Sequence, residues 1–566
     1  MRRLAVAALA TLAASCGGDS APAPRPAAPP PAFPPGTTPT VAAAPGDRFE
    51  DVTERAGIRF VHRVPDGHMD NLIEAIGAGA TWFDADGDGK LDLFLAQSAW
   101  TQGVHSGTRP ADPPTSRLYR NRGDGAFDDI SERSGLKVAD ACFMALAADF
   151  DGDGAQDLYL LNDGRNRLFR NRGGGTFEDV TDRAGVGCAL CSAGGAVLDA
   201  DGDGHLDLYV GNYVTFDASY RKYYAPDAFP GPLAFQAQAD VLYLNRGDGT
   251  FADATAGSGI DVPPGRAMGV TAWDYDLDGR TDVYVSNDAS AAFLFHNETT
   301  QAGSPRFVEV AAKASVAYGF NGEAAAAMAG AVGDYDGDGL PDLHVTNAAY
   351  GSLFRNPGRG VFQDRVTASG LAAACGQYVS WGGGFGDFDD DGALDLFVAN
   401  GDLHHPTGRP TLLLRGRGDG TFDDGSAAGG AFFRAEILGR GAAFADYDDD
   451  GRVDVLVTAI GDRPFLLRNR GIASNHHLTV DVRGARGNPT GLGAIVTVTA
   501  GGRKQVQVAQ GSSGYLTQGD PRLHFGLGTA SRADRVEVRW PGGLVQTLEA
   551  TAADQILRVT QPEAPR

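Results

Sequence analysis

"DADGDGKLDLFL", Asp84 to Leu95, sets aspartates at positions 84, 86, 88 and 92 and then runs directly into apolar residues. Four like charges in nine residues repel one another unless a counter-charge sits among them. The pattern returns six more times: "DFDGDGAQD" (149–157), "DADGDGHLD" (199–207), "DYDLDGRTD" (274–282), "DYDGDGLPD" (334–342), "DFDDDGALD" (387–395) and "DYDDDGRVD" (446–454). The starting points lie 50 to 75 residues apart, and a fixed module at such spacing marks a repeat architecture.

Each loop offers oxygen ligands from positions 1, 3, 5 and 9 and the backbone carbonyl of position 7. In the first loop these are Asp84, Asp86, Asp88, Asp92 and the carbonyl of Lys90. The corresponding carboxylates are Asp149, Asp151, Asp153 and Asp157; Asp199, Asp201, Asp203 and Asp207; and Asp274, Asp276, Asp278 and Asp282. The last three loops supply Asp334, Asp336, Asp338 and Asp342; Asp387, Asp389, Asp391 and Asp395; and Asp446, Asp448, Asp450 and Asp454. Gly at position 6 permits the sharp turn. Alternate oxygens around a turn suit Ca²⁺, which takes about six to eight oxygen ligands; Mg²⁺ is smaller and keeps its waters. Soft metals want Cys or His, absent from the ligand positions. The loops open like an EF-hand, but no Glu follows at position 12 and strands flank them. The expected cofactor is Ca²⁺, up to seven ions.

Each loop leads into a short β-branched and aromatic run, "LFLAQ", "LYLLN" or "LYVGN", that reads as a buried strand. A Gly-rich hairpin follows, as in "RLYRNRGDGAF" (117–127) and "RLFRNRGGGTF" (167–177). The Arg-Gly-Asp triplets at 122–124, 246–248 and 417–419 recur in step with these hairpins and are read as turn chemistry. Four strands per module, seven times over, predict an all-β fold with a seven-bladed β-propeller. A strand beginning with Phe follows six hairpins but not the last, "LLRNRG" (466–471). The missing piece is "FEDVTERAG" (49–57), which is expected to complete the last blade and remove the open edge.

The formal charge is −24, and the ligand positions of the seven loops hold 28 of the 72 acidic residues. The remaining 44 face 48 Lys and Arg, so the excess charge is local and nucleic acid is not an expected partner. At the N-terminus, Arg2, Arg3 and an apolar run from Leu4 to Ala14 read as an export signal over 1–15, too short to span a bilayer. "LAASC" resembles a lipoprotein cleavage box, with Cys16 as the lipidated residue. Residues 16–46 are rich in Pro and Ala and form an extended tether reaching up to ~90 Å at ~3.1 Å per residue. The expected location is lipid-anchored at the outer membrane or cell surface, or periplasmic or secreted, with the lipid as the only membrane contact. Cys142, Cys188, Cys191 and Cys375 are expected as a structural disulfide or buried thiols; "CALC" (188–191) lacks the second half of a zinc set.

The repeats resemble FG-GAP/VCBS repeats, and "NPTGLGAIVTV" (488–498), "QVQVAQGSSGYLTQGDPRLHFGLGTA" (505–530) and "VEVRWPGGLVQTL" (536–548) resemble the ASPIC/UnbV domain. Together they resemble the cartilage acidic protein family in its bacterial form, over roughly residues 49 to 560. The resemblance implies a secreted or surface-attached Ca²⁺-binding propeller over 47–471, then a small β-rich, sandwich-like domain over 472–566, with no settled activity. The insertion "YVTFDASYRKYYAPDAFPGPLAF" (213–235) sits where relatives often carry cysteines; this chain has none there.

Two function classes follow. The first is an adhesion, recognition or scaffold module for a protein or polysaccharide at the cell surface. Tyr213, Phe216, Tyr220, Tyr223, Tyr224, Phe229 and Phe235 would give it an aromatic lip, or else would cover the blade edge. The second is a hydrolase or lyase acting on an envelope or extracellular polysaccharide. It would have to turn to His62, Glu74 and Glu323, none of them in a recognised catalytic motif. Their convergence in one pocket would favour the enzyme. His404–His405 and His476–His477 are read as surface loop pairs, and the oligomeric state is left open.

Overall fold

The computed structural model describes residues 38–220, 228–485, 487–512 and 514–562. The export signal and Cys16 lie outside the described residues, as do Tyr223 and Tyr224. The described residues are all-β, with helices of five residues or fewer. None is long and apolar enough to cross a membrane among the described residues.

The apolar run behind each aspartate loop becomes a strand buried on both faces. In the second repeat, Asp157–Asn162 carries Leu158, Tyr159, Leu160 and Leu161 and is buried throughout. Its sheet runs Cys142–Ala148, Asp157–Asn162, Arg167–Asn171, Phe177–Asp179, each strand antiparallel to the next. The aspartate loop joins the first strand to the second. The hairpin turn joins the third to the fourth, closed by Arg172 N–H donating to Thr176 O at 2.7 Å. The six other loops sit in sheets of the same order. The turn assignment of the Arg-Gly-Asp triplets holds at 122–124: Gly123 has φ +77°, and Arg122 and Asp124 pair within the turn at 2.8 Å.

In the last of these sheets the fourth strand is Phe49–Asp51, which pairs antiparallel with Phe465–Asn469 as the missing hairpin strand predicts. The strands that precede the aspartate loops lie side by side in chain order: Ala80–Phe83, Cys142–Ala148, Ser192–Leu198, Ala267–Trp273, Ala327–Gly333, Ser380–Gly386 and Gly439–Ala445. Gly439–Ala445 in turn lies beside Ala80–Phe83. Two glycines explain how backbones approach so closely. A Cβ on Gly194 would stand 2.9 Å from Gly269 Cα, and one on Gly269 would stand 2.6 Å from Met328 O.

Buried asparagines latch each sheet to the one before. Asn171 donates its side-chain amide to Gln156 O in its own loop and to Ala85 O in the preceding loop, at 2.9 and 3.0 Å. Asn245, Asn297, Asn356 and Asn469 do the same to Phe150, Ala200, Tyr275 and Phe388. Asn121 reaches Tyr447 O of the last loop at 2.7 Å. Gly416 occupies this place in the sixth repeat, so that junction has no amide latch.

After residue 472, His476–Arg483 lies between Leu523–Gly528 and Ile556–Thr560. A second sheet orders Arg503–Val508, Ile495–Ala500, Arg532–Arg539 and Val545–Ala552. They share a core of Leu478, Val496, Phe525, Val538 and Trp540. One segment leaves this body: Thr517–Gln518 pairs parallel with Ala80–Phe83 as a fifth strand of the first sheet. Ser512 Oγ donates to Val270 O and Tyr515 OH to Ile76 O, at 2.9 and 3.1 Å. Gln518 takes Ala147 N–H at 2.6 Å and donates to Ala147 O at 3.0 Å.

The aromatic lip expected of residues 213–235 is corrected. Tyr213, Phe229 and Phe235 are buried, and the Phe216 ring packs tilted against Phe235 at 5.2 Å. Apolar rings on a long insertion gain more by covering the sheet ends than by facing water. Of the described rings only Tyr220 is exposed. Cys142, Cys188, Cys191 and Cys375 are buried free thiols, the second of the two expectations.

Candidate functional site

The aspartate loops are built by their own side chains. In the first loop Asp84 accepts the N–H groups of Gly87, Asp88 and Gly89, at 2.8, 3.2 and 2.9 Å, which wraps the backbone around one carboxylate. Gly89 at position 6 has φ +86°, a conformation that favours glycine. Asp88 Oδ1 accepts Lys90 N–H at 3.0 Å. Asp92, the first residue of its strand, is fully buried; it accepts Asn121 N–H at 2.7 Å and Ala85 N–H at 2.9 Å. Position 9 thus ties the loop to the hairpin behind it, and the same contacts recur at Asp157, Asp207 and Asp282.

Several of these acidic clusters can hold a metal ion. Single oxygens from Asp84, Asp86 and Asp92 lie within 4.8 Å of one another, as do those of Asp149, Asp151 and Asp157, and of Asp199, Asp201 and Asp203. Asp274, Asp276 and Asp282 form a similar group. Hydrogen bonds within the loops leave oxygens over. Asp151 Oδ1, Asp334 Oδ1, Asp342 Oδ2, Asp389 Oδ1, Asp448 Oδ1 and Asp454 Oδ2 are buried without a partner. Buried acceptors without donors are costly, and a cation is what a set of oxygen-only ligands would accept. Burial, reinforced by neighbouring carboxylates, pushes Asp92 up to about 7, Asp157 to about 8 and Asp342 to about 9. Asp207 and Asp454 are also raised, for the same reason. The residues present therefore fit a hard cation.

Sequence reasoning missed the arginines. Arg120 pairs with Asp86 and Asp88, Arg170 with Asp153, Arg355 with Asp336 and Asp338, Arg415 with Asp389 and Asp391, and Arg468 with Asp448 and Asp450. All occupy the residue before the Asn latch, or before Gly416 in the sixth repeat. The recurring "RN" at the end of the third strand is the signal that would have found them. The third repeat has Leu244 there, and the fourth has His296, whose Nδ1 lies 3.1 Å from Asp282 Oδ1. That hydrogen bond raises the His296 pKa.

The three residues named for catalysis do not converge. His62 and Glu74 line one small cavity with His105 and Asp163, whereas Glu323 is exposed and lies outside it. Burial pushes Glu74 up to about 9 and His62 down to about 3. The histidine pairs are not simple surface loops either. His404 packs edge-on to Phe229 at 4.6 Å, and His477 stacks on His524 at 5.6 Å.

The FG-GAP-like repeat family matches residues 84–160, 149–210, 233–285, 334–398 and 387–457, together more than half of the chain. The ASPIC and UnbV family matches residues 484–566. Human cartilage acidic protein 1 is 25% identical over 349 residues, covering 59% of this chain and 43% of that protein. The mouse protein is 25% identical over 373 residues, covering 62% and 53%. The chain thus matches about half the length of these curated relatives. Among solved structures, an Agrocybe aegerita lectin described as recognising non-reducing terminal N-acetylglucosamine is 18% identical with a TM-score of 0.36, covering 61% of this chain and 78% of its own. The V. cholerae biofilm matrix protein Bap1 is 12% identical with a TM-score of 0.30, covering 87% and 70%. Scores of that size carry no functional weight.

Proposed function

This chain belongs to the FG-GAP-like repeat proteins with a C-terminal ASPIC and UnbV domain and is related to cartilage acidic protein 1; from that membership we propose that it is an exported recognition or adhesion module. In this reading residues 47–471 close as a seven-bladed β-propeller, and residues 472–566 form a small β domain against it. The aspartates of each loop hold one Ca²⁺, up to seven in all. The ion supplies the positive charge that lets four carboxylates stay ionised in one turn, so binding adds directly to folding stability. Residues 1–15 direct export, Cys16 carries the lipid, and residues 16–46 hold the body away from the envelope. The partner is a protein or polysaccharide at the cell surface.

The observation that carries the recognition reading is an exposed aromatic group on neighbouring loops. Tyr318, Phe320 and Tyr350 are 47%, 43% and 42% exposed, and the Phe320 and Tyr350 rings meet edge to face at 5.4 Å. Rings exposed to water suit a sugar face or an apolar side chain. The alternative, a polysaccharide hydrolase or lyase, is less well served: His62 and Glu74 are enclosed in a cavity too small for a sugar ring, with Glu323 elsewhere.

The test exposes the mature protein to envelope polysaccharides and extracted surface proteins, with Ca²⁺ and with chelator. The expected result is an intact partner retained only with Ca²⁺ and lost in the Phe320→Ala/Tyr350→Ala double variant, together with a lower melting temperature under chelation. A shortened polymer in the supernatant would replace recognition by catalysis. An unchanged melt would remove Ca²⁺ from the reading.

A further inference from the structure

The cavity that encloses His62 and Glu74 lies at the end of the first two sheets remote from the aspartate loops. Its walls come from residues 62–74 before the strand Ala80–Phe83, from 98–105 after Asp92–Leu95, from Ala141 before Cys142–Ala148 and from Asp163 after Asp157–Asn162. It measures about 10 Å³, room for a single water-sized occupant. We propose that this cavity binds one divalent transition-metal ion, held by His62, Glu74 and Asp163, with His105 positioning the Glu74 carboxylate.

The unpaired atoms carry the assignment. His62 is 4% exposed, and neither of its ring nitrogens has a hydrogen-bond partner. Glu74 is 5% exposed; its Oε2 accepts Asp70 N–H at 2.8 Å, while its Oε1 has no partner. Asp163 Oδ2 is likewise buried and unpaired. Leaving one such group unsatisfied is costly, and these three line one cavity. A single atom-sized ligand that accepts electron pairs from one imidazole nitrogen and two carboxylate oxygens would satisfy one nitrogen of His62 together with Glu74 Oε1 and Asp163 Oδ2.

The donor set decides the class of ion. Ca²⁺ prefers oxygen ligands in number, and the loops already offer those. One imidazole nitrogen with two carboxylate oxygens suits Zn²⁺, Fe²⁺ or Mn²⁺ instead. His105 plays a different part. Thr101 N–H donates to its Nδ1 at 2.9 Å, so in the neutral ring the proton sits on Nε2, which faces Glu74 Oε1 at 3.9 Å. A protonated Nε2 cannot ligate; at this distance it is placed to orient the carboxylate, as partners of metal ligands commonly do.

The experiment strips the mature protein with chelator, restores saturating Ca²⁺ to fill oxygen-only sites, and adds Zn²⁺ or Co²⁺ at one equivalent. Bound metal is counted by mass spectrometry after desalting, and the Co²⁺ form is read by its visible absorption. The expected result is one transition ion per chain retained against Ca²⁺. Retention should fall at least tenfold in His62→Ala and in the near-isosteric Glu74→Gln, and persist in His296→Ala, which removes the imidazole beside the fourth loop. Thermal melts in Ca²⁺ identify a variant that fails to fold, and Asp163→Asn then takes its place. Retention by no form, or equal retention by wild type and folded variants, overturns the site and leaves a buried water as the occupant.

Discussion

The aspartates of one loop do different work although they look alike in sequence. Asp157 is buried and accepts the N–H groups of Asn171 and Phe150, so it belongs to the scaffold with or without an ion. Asp153 is partly exposed, accepts Ala155 N–H and pairs with Arg170. The two should separate under chelation. Asp157→Ala leaves two buried donors unsatisfied and is expected to cost about 2–4 kcal/mol in chelator as well as in Ca²⁺. Asp153→Ala should cost under about 1 kcal/mol in chelator, with a larger loss in Ca²⁺ and one fewer ion per chain. Urea titrations of both variants under the two conditions check this. Equal losses in chelator would mean that position 9 has no scaffold role.

Among loops and strands, the differences between repeats mark where the C-terminal body docks. Position 4 of the loop has positive φ, and glycine fills it in four repeats. The sixth and seventh instead carry Asp390 and Asp449, at φ +57° and +52°. Asp tolerates this region better than most residues but gains nothing from it locally. The return comes from contacts across the junction. Asp390 Oδ1 lies 2.7 Å from His524 Nε2, and Asp449 Oδ1 lies 2.6 Å from Arg522. Asp390→Gly relieves the backbone and removes the acceptor of a buried imidazole. The expected outcome is a loss of about 1–3 kcal/mol with faster amide exchange in Leu523–Gly528 and unchanged exchange in Cys142–Ala148. Exchange rising equally in both strands would show that the contact is not local to the junction.

Taken as a whole, the molecule is fastened from both chain ends. Phe49–Asp51 completes the sheet that ends at Asn469, and Ser512, Tyr515 and Thr517–Gln518 of the C-terminal body bond to Val270, Ile76 and the strand Ala80–Phe83. A Cβ on Gly79 would stand 1.7 Å from Leu516 O, so the first sheet is shaped for that segment. Repeat arrays with only neighbour contacts unfold piecemeal; a segment shared by several sheets should suppress this. Calorimetry of the full chain is expected to give one transition, and Gln518→Ala, which strips both hydrogen bonds from Ala147, should lower stability by about 2–4 kcal/mol. Two separated transitions in the wild type would mean that the two bodies fold independently.

What the sequence determined was whatever is written locally and repeated. Aspartate spacing, the glycine at position 6, the β-branched runs and the hairpin turns are short-range devices, so seven copies could be read without a structure. The stranded Phe49 could also be placed, because six copies showed what the seventh lacked. Only tertiary structure decided which side chains face each other over long separations. Burial of the 213–235 rings, the meeting of His62 and Glu74 with Asp163, and the exposure of Glu323 depend on how neighbouring sheets stack. So does the plugging of the first sheet by Thr517–Gln518, more than 400 residues away in sequence. A residue's own type and spacing do not encode such contacts; they arise when apolar area is removed from water across the whole fold.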